Sequence, residues 1–148
     1  ALGYIVYGAA RRTDRLQALT TDGIRPLAMD VTDDASMNAG VNRILEETGR
    51  IDVLVNNAGY GSYGAIEDVP IDEARRQFEV NVFGPILLTQ PIAKAMVAKG
   101  GGKIVFMSSV AGLTVDPFTT TSCFRGPMSG TGLRRAGTGR CCLEGHAA

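Results

Sequence analysis

The sequence predicts an α/β fold built on a doubly wound parallel sheet, and three observations carry that expectation. Short apolar runs alternate with helical patterns along residues 1–118, the rhythm of strands joined by crossover helices. The run at 51–55 is apolar except for Asp52, as in a central strand covered on both faces. Each run is followed by a polar or glycine-containing segment, and ligands of doubly wound sheets sit just outside the carboxyl ends of the strands.

The strand runs lie at 3–7, 25–29, 51–55 and 103–107. Between the second and third, Thr32 or Asp33 can cap a helix whose apolar positions Met37, Val41, Ile44 and Leu45 recur at helical spacing, and Gly49 stops it. A longer helical pattern spans 72–99, with Phe78, Val82, Ile86 and Leu87 expected inward and glycines 100–102 ending it. Pro85 and Pro91 interrupt that pattern. A kink or split is expected at Pro91, because an interior proline removes a backbone hydrogen bond and crowds the preceding turn.

At 148 residues, with 45% hydrophobic and 20% charged side chains, the chain fits one globular domain. Fifteen Lys plus Arg balance fifteen Asp plus Glu, which leaves no basic footprint for nucleic acid or an anionic membrane. No apolar run approaches the roughly 20 residues of a bilayer span, and no signal pattern opens the chain, so a soluble, cytoplasmic protein is expected. Three cysteines, two of them adjacent, fit a reducing compartment better than a disulfide framework. Residues 119–148 differ in kind: four Arg, one Glu, six Gly and every Cys, with no Val, Ile or Tyr. This tail is expected to be poorly ordered or out of frame, and residues 1–118 to carry the fold. Ala1 in place of an initiating Met suggests a fragment that begins inside something longer.

Residues 59–64 spell G-x-G-x-x-G after a predicted strand, with Glu79 twenty residues beyond the first glycine. A pyrophosphate loop requires those glycines to open a helix, and here a segment ending in Pro70 intervenes. The segment is therefore read as a loop whose glycines permit close backbone approach to a ligand. Cys141, Cys142 and His146 offer three donors without a second spaced pair, a poor match to structural zinc sites, so no metal is expected. The tail's four Arg and single Glu, with Phe124 alone to stack, make a weak case for nucleic acid.

NNAG at 56–59, VNVFG at 80–84 and KIVFMSSVAG at 103–112 occur in that order. With these motifs the chain resembles the short-chain dehydrogenase/reductase family over about residues 1–118. The resemblance implies a partial Rossmann-type doubly wound parallel sheet and hydride transfer between NAD(P) and a small-molecule carbonyl or alcohol substrate. It implies that Asn57, Ala58 and Gly59, with Asn56, form a loop beside the cofactor, and that Asp30 and Val31 border the adenine. It further implies that Asn81 holds a water of the proton relay, and that Ser109, next to Ser108, bonds the substrate oxygen. Read from the residues alone, Asn81 is equally a solvent-facing or backbone-bonding helical Asn, the serines are caps, and Asp30 is a helix cap.

Arg11 and Arg12 follow the first run, where family members that use NAD carry an acidic residue and those that use NADP carry Arg for the 2′-phosphate. NADP is expected over NAD, against the plainer reading of a solvated basic helix start. The resemblance also implies pairing of copies through helix 72–99. Two family features are missing from the sequence. The glycine-rich phosphate loop belongs to a strand-to-helix turn that this chain lacks, and the catalytic YxxxK should fall about 13 residues after Ser109, where Ser122 and Gly126 stand. Two readings follow: part or a damaged copy of an NADP-dependent oxidoreductase, or a non-catalytic remnant that acts by self-association.

Overall fold

The structure is a computed structural model and describes residues 3–65, 67–108, 131–135 and 141–144. β1 (Val6–Ala10) runs parallel to β2 (Ile24–Ala28), with Val6 opposite Ile24 and Ala10 opposite Ala28. A 3-10 helix over Asp14–Asp22 makes the crossover. α1 (Asp34–Thr48) follows, and it is local chemistry that sets both its ends. Asp33 has extended backbone, and its carboxylate accepts the amides of Ala35 and Ser36, which the first helical turn cannot otherwise satisfy. Gly49, at a φ of 74°, takes the left-handed closing position and donates its amide to the Leu45 carbonyl at 2.8 Å.

β3 (Val53–Asn56) runs parallel to β4 (Gly102–Phe106), with Asn56 opposite Phe106. β5 (Thr131–Arg135) adds antiparallel to β4, and β6 (Cys141–Glu144) antiparallel to β5. Within residues 1–118 both strand pairs are parallel, as expected, and β5 and β6 make the second sheet mixed. Among the described residues no ladder joins the β1–β2 pair to the β3–β4–β5–β6 sheet.

Helix 72–99 departs from expectation in phase. It comprises α2 (Ile71–Phe78), a π-turn over Glu79–Phe83, and α3 (Gly84–Ala98), which runs unbroken through Pro91. The disturbance sits before Pro85, not at Pro91. Proline at 85 removes the amide that would bond the Asn81 carbonyl in an α-helix, and the Gly84 amide bonds back to Glu79, five residues away. One extra residue in the turn rotates the following face by about 100°. The buried positions of α3 are Gly84, Pro85, Leu88, Ile92 and Met96, whereas Ile86 and Leu87, expected inward, are 45% and 41% exposed.

The core lies on one side of the strands. Leu27, Met29 and Ile104 from the sheets meet Met37 and Val41 of α1 and Leu88, Ile92 and Met96 of α3. On the opposite side Val53 and Val55 are 44% and 54% exposed, so the strand at 51–55 is covered on one face only, contrary to its uniformly apolar pattern. By length and composition the stretch Ile71–Ala98 could cross a bilayer, contrary to the expectation that no apolar run reaches such a length. Its residues Leu88, Ile92 and Met96 are instead spent on the core.

A surface cluster ties β1, β2 and α1 together at the amino ends of the strands. The Tyr7 hydroxyl donates to Glu47 Oε2 at 2.5 Å, Arg25 donates to both groups at 3.1 and 3.0 Å, and Arg43 donates to Glu47 Oε1 at 2.8 Å. The Tyr7 hydroxyl first, and Arg43 next, hold the Glu47 carboxyl down at about 2. Because the folded value lies below the ordinary 4.5, the cluster's contribution is fully present above about 4.5 and is lost as pH falls through about 2. That contribution is small, since exposed ion pairs contribute little. Tyr7→Phe is expected to return the Glu47 titration toward the ordinary carboxylate range, as read by carboxyl 13C chemical shifts. An unchanged titration would show that the arginines alone set it.

Candidate functional site

The strand ladders carry each parallel pair to a common end. Beyond the last paired residues, the Met29 amide still bonds to the Ala10 carbonyl at 3.1 Å and the Met107 amide to the Asn56 carbonyl at 2.9 Å. Arg11, Asp30, Asn57 and Ser108 are the residues at which the chain leaves these ladders. The polar residues singled out in the sequence are therefore gathered at the carboxyl ends of the strands.

Asp30 sits in a tight turn rather than at the helix cap, which is Asp33. Its Oδ1 accepts the Thr32 amide at 2.9 Å and the Thr32 hydroxyl at 2.7 Å, and its own amide donates to Ser36 Oγ at 2.9 Å. These two Thr32 bonds, assisted by the charges of Arg11 and Arg76, hold the Asp30 carboxyl below its ordinary value. Arg11 and Arg76 also act on Tyr60, where they oppose an upward shift. Burial, and then Glu73 beside it, push the Tyr60 phenol above its ordinary value. Arg11, Asp30, Tyr60, Glu73 and Arg76 thus share one electrostatic neighbourhood, of which sequence reasoning had picked out only Arg11 and Asp30.

The loop after β3 is held by its backbone. Asn81 Nδ2 donates to the Tyr60 carbonyl at 2.8 Å, and Asn81 Oδ1 accepts the Tyr60 amide at 3.0 Å. Asn81 is thus the backbone-bonding kind of helical Asn. Gln77, one turn earlier, donates to the same carbonyl at 2.9 Å. At the base of the loop the buried Asn56 donates Nδ2 to Thr89 Oγ1 of α3 at 3.0 Å. Asn57, Ala58, Gly59 and Tyr60 leave the sheet exposed. Residues 57–65 are irregular and among the described residues the next helix opens at Ile71, in keeping with the loop reading of the glycine segment.

The other lip of the site is braced by the same helix. A Cβ placed on Gly84 would lie 2.6 Å from the Val31 carbonyl oxygen, so the start of α3 abuts the turn that carries Asp30 and Val31. The stretch from Gln77 to Gly84 therefore touches both the β2 turn and the β3 loop. Gln77 was missed in the sequence; the available signal was a polar residue four positions before Asn81, on the same helix face.

Arg11 and Arg12 are exposed and Val31 is half-buried. Ser109 lies outside the described residues, as do Ser122, Gly126 and His146. Among the described residues no three His, Cys, Asp or Glu side chains are grouped to hold a metal.

Parallel strands wound with helices, and polar groups at their carboxyl ends, define a Rossmann-type α/β protein. Residues 2–123 match the short chain dehydrogenase family, and the chain belongs to it. It is 37% identical to the uncharacterized oxidoreductase YusZ of Bacillus subtilis (strain 168), across 79% of this chain and 44% of that protein. It is 36% identical to the NADPH-dependent 3-dehydrocapnine reductase of Ornithobacterium rhinotracheale, across 79% of this chain and 44% of that one. Among solved structures, a short-chain dehydrogenase from Streptomyces avermitilis superposes with a TM-score of 0.74 at 36% identity, covering 83% of this chain and 46% of that one. The chain spans about half the length of the relatives it matches.

Proposed function

We propose that the chain is part of a cytoplasmic, NADP-preferring short-chain oxidoreductase acting between a carbonyl and an alcohol on a small-molecule substrate. The observation that carries this reading is the joint position of Arg11 and Asp30 at the carboxyl ends of adjacent parallel strands, with Arg11 followed by a second exposed guanidinium at Arg12. The donor set suits the adenosine end of the cofactor: Arg11 and Arg12 would take the 2′-phosphate, Asp30 and Val31 would border the adenine, and Asn57, Ala58 and Gly59 would line the ribose side. When bound, NADPH supplies the hydride. Ser109 would orient the substrate oxygen and Asn81 would hold the relay water, while the Tyr and Lys that move the proton in this family have no counterpart in the sequence.

NADPH is expected to bind the chain roughly 10-fold to 150-fold more tightly than NADH, the worth of a charge-assisted pair. Fluorescence titration of both dinucleotides checks this, and Arg11→Ala with Arg12→Ala should abolish the difference. Equal curves in the unmutated chain would refute NADP preference. A second reading, a non-catalytic chain that acts by self-association, is favoured by the exposed Phe83, Ile86 and Leu87 along helix 72–99. Failure of both dinucleotides to bind, with sedimentation as a dimer, would select it.

A further inference from the structure

We propose that Gln77 is a positioning residue of this site: together with Asn81 it holds the backbone on both sides of the Tyr60 Cα, and thereby sets where the β3 loop and the Asn81 side chain stand. The proposal rests on the reading above only in naming the loop as the cofactor side.

The Tyr60 carbonyl has two lone pairs, and both are used, one by Gln77 Nε2 at 2.9 Å and one by Asn81 Nδ2 at 2.8 Å. Asn81 closes a second bond with the Tyr60 amide, so the two peptide groups that flank the Tyr60 Cα are gripped at three points from one helix. Without Gln77, Asn81 alone would fix the peptide, and the amide pair could pivot about its own two bonds. A donor from the preceding turn removes that pivot.

Gln77 is 1% exposed, and its Oε1 finds no hydrogen-bond partner among the described residues. Burying a primary amide with one group unsatisfied is costly, and an apolar side chain of similar size would fill the space without that cost. The donor is the group whose interaction offsets the burial. Turning the amide over would set Oε1 against the Tyr60 carbonyl, two acceptors face to face, so the orientation is dictated by the loop. The π-turn between Gln77 and Gly84 begins two residues later, which places the grip at the point where the helix changes phase.

Amide hydrogen exchange resolved to single residues in the full chain tests this, without any dinucleotide. In the unmodified chain the Tyr60 amide should be protected relative to Gly59 and Gly61, although it lies in an exposed loop. Gln77→Leu, which removes the donor, should speed Tyr60 exchange about tenfold, the worth of one hydrogen bond. Gln77 does not touch that amide, so the change would report the position of the peptide. Gln77→Glu should do the same at neutral pH, where a carboxylate faces a carbonyl, and should recover protection once acid protonates it into a donor. Tyr60 protection that is absent in the unmodified chain, or unchanged in a folded Gln77→Leu variant, would overturn the proposal. Should Gln77→Leu fail to fold, the unmodified chain and the pH response of Gln77→Glu still decide. Failed NADPH binding would leave this result standing, so the two readings fail separately.

Discussion

No NADPH-dependent carbonyl reduction above a heat-treated control is expected of the chain as written. The family's proton donor is a tyrosine whose acidity is raised by a lysine four residues on; counted on from Ser109, as the resemblance implies, those positions fall on Ser122 and Gly126. No replacement is at hand. The tyrosines, at 4, 7, 60 and 63, and the lysines, at 94, 99 and 103, all precede Ser108 and contain no YxxxK. Tyr60 lies in the loop after β3, yet partial desolvation of its ring, and then Glu73, push it upward, away from the easily ionised state that such a role demands. A serine hydroxyl is a far weaker acid than an activated phenol. General acid–base catalysis contributes about 10²-fold to 10⁴-fold, and its loss alone takes turnover out of reach of an ordinary assay. A turnover that vanished with Ser109→Ala would mean that another group supplies the proton.

The second large effect is expected at Gly84. A side chain there meets the Val31 carbonyl at 2.6 Å and the Glu79 carbonyl at 3.1 Å, both of them backbone, so neither can turn aside. Gly84→Val should cost about 3 kcal/mol, the upper part of the usual range for overpacking, or roughly 10 °C in Tm for a chain of this size. Gly40 makes a useful contrast. Its nearest neighbour is the tip of Met29, a side chain that can move, and Gly40→Ala should lower Tm by much less. Thermal melts followed by circular dichroism compare the two. Equal losses would mean that α3 and the Val31 turn separate readily, and that the site's two lips are not braced by one helix.

What could be read from the sequence was local. Asp33 and Gly49 bound α1 by bonds to residues within four positions, and periodicity located Met37 and Val41 correctly on its buried face. The π-turn was invisible, because a period of 3.6 presumes one residue count per turn and the turn over Glu79–Phe83 holds one more. Apolar character along 51–55 predicted cover on both faces, but composition cannot say which covering elements the chain supplies; Val53 and Val55 are left exposed. In the site, strand ends pointed to Arg11, Asp30 and the 57–59 loop. Gln77 escaped because its partner is a backbone carbonyl 17 residues away, which no side-chain motif records.

The division of the sheet bears on how accurately the site can be aligned. A continuous ladder would space Arg11 from Asn57 by a fixed hydrogen-bond repeat of about 4.8 Å per strand. Here Arg11 belongs to one sheet and Asn57 to the other, and the described contacts between them pass through α1 and α3. Those contacts are dispersive, and three of the eight buried core residues, Met29, Met37 and Met96, are methionines, the most deformable of the large apolar side chains. Among the described residues the separation of the two rims is therefore carried by soft side-chain volume. Oxidation of these thioethers to polar sulfoxides would act directly on that packing.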